Sequence, residues 1–340
     1  MNRKHFLSLV PATLLLNSLS GKADAAEQFG RPKRVKIPAY LSPGDTIGIT
    51  CPAGYITLAE IEPAVAQMKS WGFNVVIGKT VGARNFTFGG TDLERLTDLQ
   101  QMLDDPDIKA IMCARGGYGA VRIVDELDFG KFKKSPKWII GFSDITILHC
   151  HINSNHHIAT LHSKMCNSFP SDWALADPIQ IETINSIQQA LKGEKMKYTA
   201  QAHPNNKMGS ATAELIGGNM RCIENLGGSS SEITTAGKIL FVEDTGEQLY
   251  SIDRMFYNLK RSGKLDQLKG LIVGGFKLKK DEDFSFGRSV VEIVLDITRT
   301  YGFPVGFNFP VGHQVANFAL KCGVKHHLEV SEAGTILTEV

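Results

Sequence analysis

Short apolar runs alternate with helical patterns through the first half of this chain, and this alternation limits its fold more than any other feature. The predicted strands are Thr46–Cys51, Asn74–Ile77, Ile108–Ala114 and Trp138–Gly141. Between them, residues 58–71 and 91–104 carry apolar side chains at helical spacing. A strand–helix–strand rhythm predicts an α/β domain with a mostly parallel sheet. Such sheets bind ligands at the carboxyl ends of their strands, where the loops 114–119 and 141–144 lie.

The second half predicts further strands and helices after a polar stretch. Residues 166–210 are irregular apart from a helical pattern near Asp177–Leu191, as expected of a crossover linker. The predicted elements beyond it are helices 219–226, 251–262 and 286–301 and strands 238–242, 270–274 and 304–307. The tail 328–340 alternates around a turn and predicts a β-hairpin. We therefore predict an N-terminal domain over 43–165 and a C-terminal domain over 211–340.

The first 42 residues are typical of a targeting segment followed by a linker. The short apolar run 6–16 follows a charged start, and small residues at 23–25 suit cleavage, so residues 1–25 are predicted to be a secretory signal peptide. Residues 2–7 resemble a twin-arginine signal with Lys in place of one Arg. A retained amphipathic tail is the alternative. Export predicts a periplasmic location, and a proline-rich linker over 26–42 would follow the signal.

Composition argues against several classes of protein. The net charge is +2 with both signs mixed, and 43% apolar and 21% charged residues are ordinary for a globular protein. No basic stripe points to nucleic acid, and no segment approaches the length of a membrane span. The six cysteines form no C-x-x-C pair. Buried free thiols are expected of them, although an exported chain could also form disulfides.

The stretch 138–144 predicts a turn that holds a serine out of a sheet. An apolar run ends at Gly141, Ser143 follows, and a helix-compatible segment begins at Asp144. A serine on a strand-to-helix turn has the geometry of a nucleophile, and the next backbone N–H can bind an oxyanion. The match is partial, because Ile145 stands where a second glycine is usual. Taken alone, the turn suggests a serine hydrolase that other residues must support.

Three other groups are open to a chemical or a structural interpretation. The paired glycines Gly116 and Gly117 follow a predicted strand and suit a phosphate, an oxyanion or simply a tight turn. Glu243 stands at the end of a predicted strand, where a carboxylate can orient a catalytic histidine or lie in a solvated turn. His313 follows a Pro and a Gly in a predicted loop, where histidines are either catalytic or structural.

Five histidines after the serine raise the question of a metal site. They stand at positions 149, 151, 156, 157 and 162. The spacing of His149 and His151 puts their side chains on different faces of a helix. Neither an H-E-x-x-H sequence nor a C-x-x-C pair is present to support zinc. We predict ordinary helix and loop histidines, with no metal and no cofactor.

Seven motifs, taken together and in order, resemble the LD-carboxypeptidase family. They are R-G-G-Y-G (115–119), L-D-F (127–129), I-G-F-S-D (140–144), G-G-N (217–219), F-V-E-D (241–244), I-D-R (252–254) and G-H (312–313). Singly each is weak, but together they are specific and cover roughly residues 38–328. The family includes murein tetrapeptide carboxypeptidases and microcin C immunity hydrolases, which are serine peptidases.

The resemblance implies both a site and a fold. Ser143 would be the nucleophile, His313 the general base and Glu243 the carboxylate that orients the base. The N–H groups of Asp144 and of one glycine in the pair 116–117 would form the oxyanion hole. The implied fold is a flavodoxin-like N-terminal domain joined to a β-rich α/β C-terminal domain, with the active site between them. Homodimers are common in the family.

The implied reaction is hydrolysis of the amide bond between the L-centre of a diamino acid and the terminal D-Ala of a murein tetrapeptide. Two alternatives stay open: hydrolysis of a microcin-like peptidyl nucleotide, and non-catalytic peptide binding in the periplasm. The chain departs from the family at 162–164, where it reads His-Ser-Lys and many members have His-Gly-Pro. That departure leaves substrate preference open.

Overall fold

The computed structural model describes residues 34–280 and 285–340. The predicted signal peptide over 1–25 lies outside the described residues, as do residues 26–33 of the predicted linker. Val35–Val340 forms one compact unit, and the domain boundaries predicted within it stay predictions. Within its described part, the chain has no helix with the length and apolar character needed to cross a bilayer.

The strands and helices are numbered along the chain. The strands are β1 (Thr46–Thr50), β2 (Asn74–Ile77), β3 (Ile108–Cys113), β4 (Trp138–Gly141), β5 (Thr160–His162), β6 (Lys197–Gln201), β7 (Gly209–Asn219), β8 (Ile239–Glu247), β9 (Gly270–Leu278), β10 (Val305–Gly306), β11 (Leu320–Cys322), β12 (Lys325–Ser331) and β13 (Gly334–Glu339). The helices are α1 (Leu58–Ser70), α2 (Asp92–Asp104), α3 (Gly130–Lys134), α4 (Thr146–His156), α5 (Pro178–Leu191), α6 (Met220–Asn225), α7 (Leu249–Arg261) and α8 (Val290–Thr298).

The first sheet confirms the predicted α/β class with a parallel, flavodoxin-like core. Its strand order is β11-β5-β4-β3-β1-β2, and β1 to β5 are mutually parallel. The order 2-1-3-4-5 is that of flavodoxin-like doubly wound sheets. Strand β11 comes from near the C-terminus and pairs antiparallel with β5 at the edge. The last part of the chain therefore completes the sheet that the first part builds.

Both faces of the first sheet are covered. Side chains on successive residues of a strand point to opposite faces. Accordingly, Ile111 packs with residues of α2, whereas Met112 packs with residues of α1. Reciprocal caps begin both helices: the Thr57 hydroxyl accepts from Glu60 N and the Glu60 carboxylate accepts from Thr57 N, and Thr91 and Glu94 repeat this arrangement. Caps and packing together account for the predicted alternation.

The second sheet has seven strands in the order β10-β9-β8-β7-β12-β13-β6. Its long strand β7 pairs antiparallel with β12 along its first half and parallel with β8 along its second half. The predicted hairpin near the C-terminus is formed by β12 and β13. Strand β6 lies within residues 166–210, for which no strand was predicted. This sheet gives the C-terminal half its predicted β-rich character.

One hydrophobic cluster joins the two sheets. It contains Ile139 of β4, Ile147 of α4, Leu240 of β8 and Phe256 of α7, all of them buried. The backbone N–H of Asn219, at the end of β7, also donates to the Thr146 hydroxyl at the start of α4 (3.0 Å). The carboxyl ends of β4 and β7 are thereby held together, and this is where the predicted site residues lie.

Candidate active site

Ser143 lies on the predicted strand-to-helix turn. It begins a single 3₁₀ turn, Ser143–Ile145, between β4 and α4. Its φ is +62°, in the left-handed region that a residue with a side chain seldom adopts. Such a conformation costs about 1–3 kcal/mol and persists only where the surroundings impose it. The turn thus presents the serine side chain beyond the carboxyl end of β4.

A histidine and a glutamate form a hydrogen-bonded chain with this serine. His313 Nε2 lies 3.1 Å from Ser143 Oγ, and His313 Nδ1 lies 2.6 Å from Glu243 Oε2. The backbone N–H of His313 donates to the same carboxylate oxygen at 3.2 Å. Since a carboxylate only accepts, the proton of the neutral ring resides on Nδ1 and leaves Nε2 free to accept from the hydroxyl. The structure brings together three residues that are 100 and 70 positions apart.

Glu243 does not end its strand, and this corrects the sequence-based prediction. Strand β8 continues to Glu247, and its register with β9 shifts between Val242 and Asp244. A bulge of this kind interrupts the regular alternation of a strand. Both Glu243 and Asp244 are buried, with exposures of 0% and 2%, as are the four residues of β8 that precede them. The prediction stopped at the acidic pair because a charged dipeptide is unusual inside a buried strand.

The His313 loop fits against Glu243 only because a glycine precedes the histidine. Gly312 has a φ of +107°, and a Cβ added there would lie 2.5 Å from the Cβ of Glu243. Its N–H donates to Oδ1 of the buried Asn317 at 2.8 Å. The histidine ring itself contacts the ring of Phe142, with centroids 4.8 Å apart. These contacts set the direction in which the imidazole points.

Gly116, the first of the paired glycines, lies against the serine at this edge of the sheet. A Cβ added at Gly116 would lie 2.9 Å from Ser143 Cβ and 3.2 Å from its Oγ. Gly117 has a φ of +95° and lines the cavity that contains Ser143. The carbonyl of Gly116 accepts from the N–H of Gly54 at 2.8 Å. Only a residue without a side chain can bring the backbone this close to the hydroxyl.

Asp144 joins the turn to the glycine loop through its side chain. The carboxylate accepts from the N–H of Ala120 at 2.8 Å. It is only 5% exposed, and burial raises its pKa to about 6. The prediction for this residue concerned its backbone N–H, which belongs to the turn that carries Ser143. The side-chain contact was not anticipated.

Two cavities of opposite charge meet at the Ser143–His313 pair. One, of about 320 Å³, is lined by Ser143 together with Asp144, Asp244, Glu247 and Arg221. The other, of about 480 Å³, is lined by His313 together with Lys164, Lys277 and Gln180. Thr245 lines both. The serine side therefore carries mostly carboxylates, and the histidine side carries ammonium groups.

Comparison with known proteins identifies the family. Residues 47–163 match the LD-carboxypeptidase N-terminal domain, and residues 212–328 match the LD-carboxypeptidase C-terminal domain. The chain belongs to the LD-carboxypeptidase family. This membership makes it a hydrolase of the carboxypeptidase type, and the resemblance stated from the seven motifs is confirmed.

Three relatives of this LD-carboxypeptidase family member align along nearly their whole length. A probable murein peptide carboxypeptidase of Bacillus subtilis is 33% identical over 306 residues, which cover 88% of this chain and 93% of the relative. The microcin C7 self-immunity protein of Escherichia coli is 26% identical over 89% of this chain and 96% of its own length. The crystal structure of a muramoyltetrapeptide carboxypeptidase from Oxalobacter formigenes superposes with a TM-score of 0.76 at 26% identity, covering 86% of this chain and 98% of that one.

Four of the histidines after the turn lie in two pairs: the ring centres of His151 and His156 are 5.6 Å apart, and those of His149 and His162 are 6.3 Å apart. His149 Nε2 lies 2.9 Å from the carbonyl oxygen of Gly141, and burial lowers its pKa to about 4. His151 Nδ1 lies 2.8 Å from the Ser231 hydroxyl. Among the described residues, no group of three or more His, Cys, Asp or Glu is arranged to hold a metal ion. The six cysteines are all free, and five are buried.

Two groups beside the site were missed by sequence reasoning. Asp244 accepts from Asn219 Nδ2 (2.9 Å) and from the N–H of Arg221 (2.8 Å), so that it ties β8 to the start of α6; burial raises its pKa to about 6. The G-G-N motif ending at Asn219 was the available signal. Lys164 lines the cavity beside His313. The sequence feature that could have pointed to Lys164 was the departure from the family sequence at 162–164.

Proposed function

We propose that this chain is a serine LD-carboxypeptidase that removes the terminal D-Ala from murein tetrapeptides. The bond cleaved is the amide between the L-centre of a diamino acid and D-Ala. The observation that carries the proposal is the hydrogen-bonded chain from Ser143 through His313 to Glu243. The relatives add support, since their names refer to murein peptides and muramoyltetrapeptides.

In the first step His313 is the general base and Ser143 the nucleophile. Nε2 takes the hydroxyl proton as Oγ attacks the amide carbonyl, while Glu243 stabilises the imidazolium through Nδ1–H. The N–H of Asp144 and an N–H of the pair 116–117 are proposed to bind the oxyanion. Donors of this kind contribute about 3 kcal/mol each to the transition state. The left-handed turn and the glycine contact support this assignment, because they bring both stretches of backbone to the hydroxyl.

In the second step the tetrahedral intermediate collapses and the acyl-enzyme is hydrolysed. His313 returns its proton to the departing amine of D-Ala, so the C–N bond breaks and an ester to Ser143 remains. Water then enters the vacated space, and His313 takes its proton as the water attacks the ester. The product peptide leaves with a new carboxylate, and the serine regains its proton.

Release of D-Ala is the direct test of this function. The Ser143→Ala variant should lose D-Ala release from a murein tetrapeptide, whereas Ser70→Ala, which alters an exposed serine at the end of α1, should keep it. A fluorophosphonate should label the wild type at Ser143 and leave the S143A variant unlabelled. Undiminished release from S143A would contradict the serine mechanism. Absence of both release and labelling in the wild type would favour a non-catalytic peptide-binding protein instead.

A second candidate is hydrolysis of a peptidyl nucleotide of the microcin C type. The observation that favours it is the 26% identity to the self-immunity protein of Escherichia coli over 89% of this chain. Both reactions would use the same three residues, so the substrate alone separates them. The test compares kcat/KM for a murein tetrapeptide and for an aminoacyl sulfamoyl adenosine. We expect the tetrapeptide to be preferred by at least tenfold, and a reversed preference would replace the first candidate by the second.

We also propose that the enzyme acts in the periplasm as a homodimer. The support for export is the sequence pattern at 1–25, and the support for a dimer is the family resemblance. Fusing residues 1–25 to a reporter should direct the reporter out of the cytoplasm, and a reporter that stays inside would contradict export. Light scattering on the enzyme should give twice the mass of one chain, and a monomer at micromolar concentration would contradict the dimer.

A further inference from the structure

The cavity beside His313 is lined by two lysines. Lys164 and Lys277 form part of its wall together with the polar side chains of Ser168 and Gln180. Among the described residues that line it there is no Asp or Glu. The cavity is about 480 Å³, which is enough for one small amino acid and its solvent. Its charge is therefore suited to an anionic group.

One hydrogen bond positions the Lys164 ammonium, and the group has further N–H donors. Its ammonium donates to the carbonyl oxygen of Gln314 at 2.6 Å and lies 5.7 Å from the ring centre of Phe142. An ammonium has three N–H donors, and this bond uses one of them. The side chain is half-buried, which lowers its pKa, while the charge of Glu243 raises it. A cation that is partly removed from water gains most from an anionic partner.

The mechanism decides which part of the substrate enters this cavity. His313 must give its proton to the departing amine, so the leaving residue has to lie on the histidine side of the serine. In a C-terminal amino acid the carboxylate carbon is only about 2.5 Å from that amine nitrogen, since two single bonds separate them. The C-terminal carboxylate consequently falls in the space that Lys164 and Lys277 line.

The other cavity would repel the same group. Three carboxylates, from Asp144, Asp244 and Glu247, line it alongside one guanidinium. That guanidinium, of Arg221, already lies 3.0 Å from Glu224 and 3.9 Å from Glu247. Like charges brought together in a cleft cost energy, so a free carboxylate is disfavoured there. The charges of the two cavities thus favour one orientation of the peptide, with its C-terminal carboxylate in the cavity lined by Lys164 and Lys277.

We propose that Lys164, assisted by Lys277, binds the C-terminal carboxylate of the substrate and so restricts cleavage to the last peptide bond. The inference rests on the proposed function and adds the residues that select a free C-terminus. The contact forms before the chemical step and persists through it, so its loss raises KM more than it lowers kcat.

The test compares two substrates that differ only in that carboxylate. One is the murein tetrapeptide with a free C-terminus, and the other is the same peptide ending in D-alaninamide. The Lys164→Met variant keeps the length of the side chain and removes its charge. Lys277→Met is the second variant, and its side chain is exposed, so the fold does not depend on it. Lys279→Met is the matched control, because Lys279 is also exposed and does not line the cavity.

We expect the wild type to prefer the free acid by about 10- to 100-fold in kcat/KM, as is usual for a hydrogen bond to a charged group. In K164M most of that preference should disappear through a higher KM for the acid, while cleavage of the amide changes about twofold or less. K277M should lose a smaller part of the preference, and K279M none.

Four outcomes would overturn the inference. If K164M lowers the cleavage of both substrates equally, Lys164 serves only to hold Gln314. If the wild type cleaves both substrates equally well, the carboxylate is not recognised, although the proposed function stands. If the wild type cleaves neither, the proposed function fails and the inference fails with it. Should K164M not fold, an unchanged preference in K277M would overturn the inference by itself.

Discussion

The two regions that meet at the candidate site are built in opposite ways. The serine turn is local: strand, turn and helix follow one another within residues 138–156. The Glu243–His313 pair is not local, since 70 residues and two sheet strands separate its members. The turn is formed by consecutive residues and is supported by the neighbouring glycine loop, whereas the pair needs residues from two distant parts of the chain and a glycine before the histidine. Under the proposed mechanism, the nucleophile is encoded in a short motif, whereas its base is positioned by the whole fold.

The largest effect on activity is expected when one functional side chain is removed from each region. Ser143→Ala and His313→Ala should each lower kcat by about 10⁴- to 10⁶-fold, and the double variant should lose little more than either single variant. The reason is that the proposed mechanism places both residues in the same proton transfer. Single-turnover release of D-Ala measures the effect. Losses that multiply in the double variant would mean that the two regions act independently.

A smaller loss of kcat is expected when the Glu243 carboxylate is replaced. Glu243→Gln keeps the shape of the side chain but removes the charge that stabilises the imidazolium, and kcat should fall by about 10³- to 10⁴-fold. The exposed Glu329 on β12 provides a control, since E329Q should leave kcat unchanged. A pH profile of kcat checks the result. Wild-type activity in E243Q would show that His313 is oriented without this carboxylate.

A glycine substitution tests whether the assembled region depends on close packing. In Gly312→Ala the new Cβ would meet Glu243 in a left-handed backbone, so kcat/KM should fall by about 100-fold and stability by about 1–3 kcal/mol. Gly302→Ala is the matched control, because nothing lies within 4 Å of a Cβ added there. Denaturant unfolding measures the loss of stability, and steady-state kinetics measure the loss of kcat/KM. Equal behaviour of G312A and G302A would exclude a packing requirement at the histidine.

The smallest effect concerns one buried carboxylate from each region. Asp144 and Asp244 both have pKa values raised to about 6, chiefly by burial. The native state therefore binds more protons than the unfolded state between about pH 4 and 6, and the contribution of each group to stability is lost as the pH rises through that window. Asp144→Asn and Asp244→Asn should each remove about 1–3 kcal/mol of this pH dependence.

The measurement is the difference in unfolding free energy between variant and wild type at pH 4 and at pH 7. The exposed Asp107 supplies the control variant, D107N, because its side chain lies outside both regions of the site. If this difference changes with pH by a similar amount for D144N and D244N, the serine turn and the region around Glu243 and His313 are equally shielded from water. If it changes with pH for D144N alone, water reaches the region around Glu243 and His313.

The sequence predicted the local parts of the fold well. Strands β2 and β4 have the predicted bounds, and β1, β3, α1 and α2 differ from them by one residue at an end. These elements carry a strong apolar pattern and clear start or stop residues, so their own side chains determine them. The serine turn was predicted for the same reason.

The elements that were missed depend on distant partners. Strands β5 and β11 have three residues each and pair with one another across more than 150 positions. The first half of β7 is polar, and it becomes a strand because β12 lies beside it. Strand formation of this kind follows from pairing and burial more than from the residues themselves. The position of Glu243 inside β8 was not predicted for the same reason, because it depends on pairing with neighbouring strands.

Strand β11 gives the fold a further property. His313 lies between β10, which belongs to the second sheet, and β11, which closes the edge of the first. The imidazole therefore reaches the serine within a segment that is anchored to a different sheet at each end. A newly made chain can form the serine turn early, but it acquires a complete proton relay only when its final strands have docked. If the proposed mechanism holds, we expect chains that lack the final strands to be inactive.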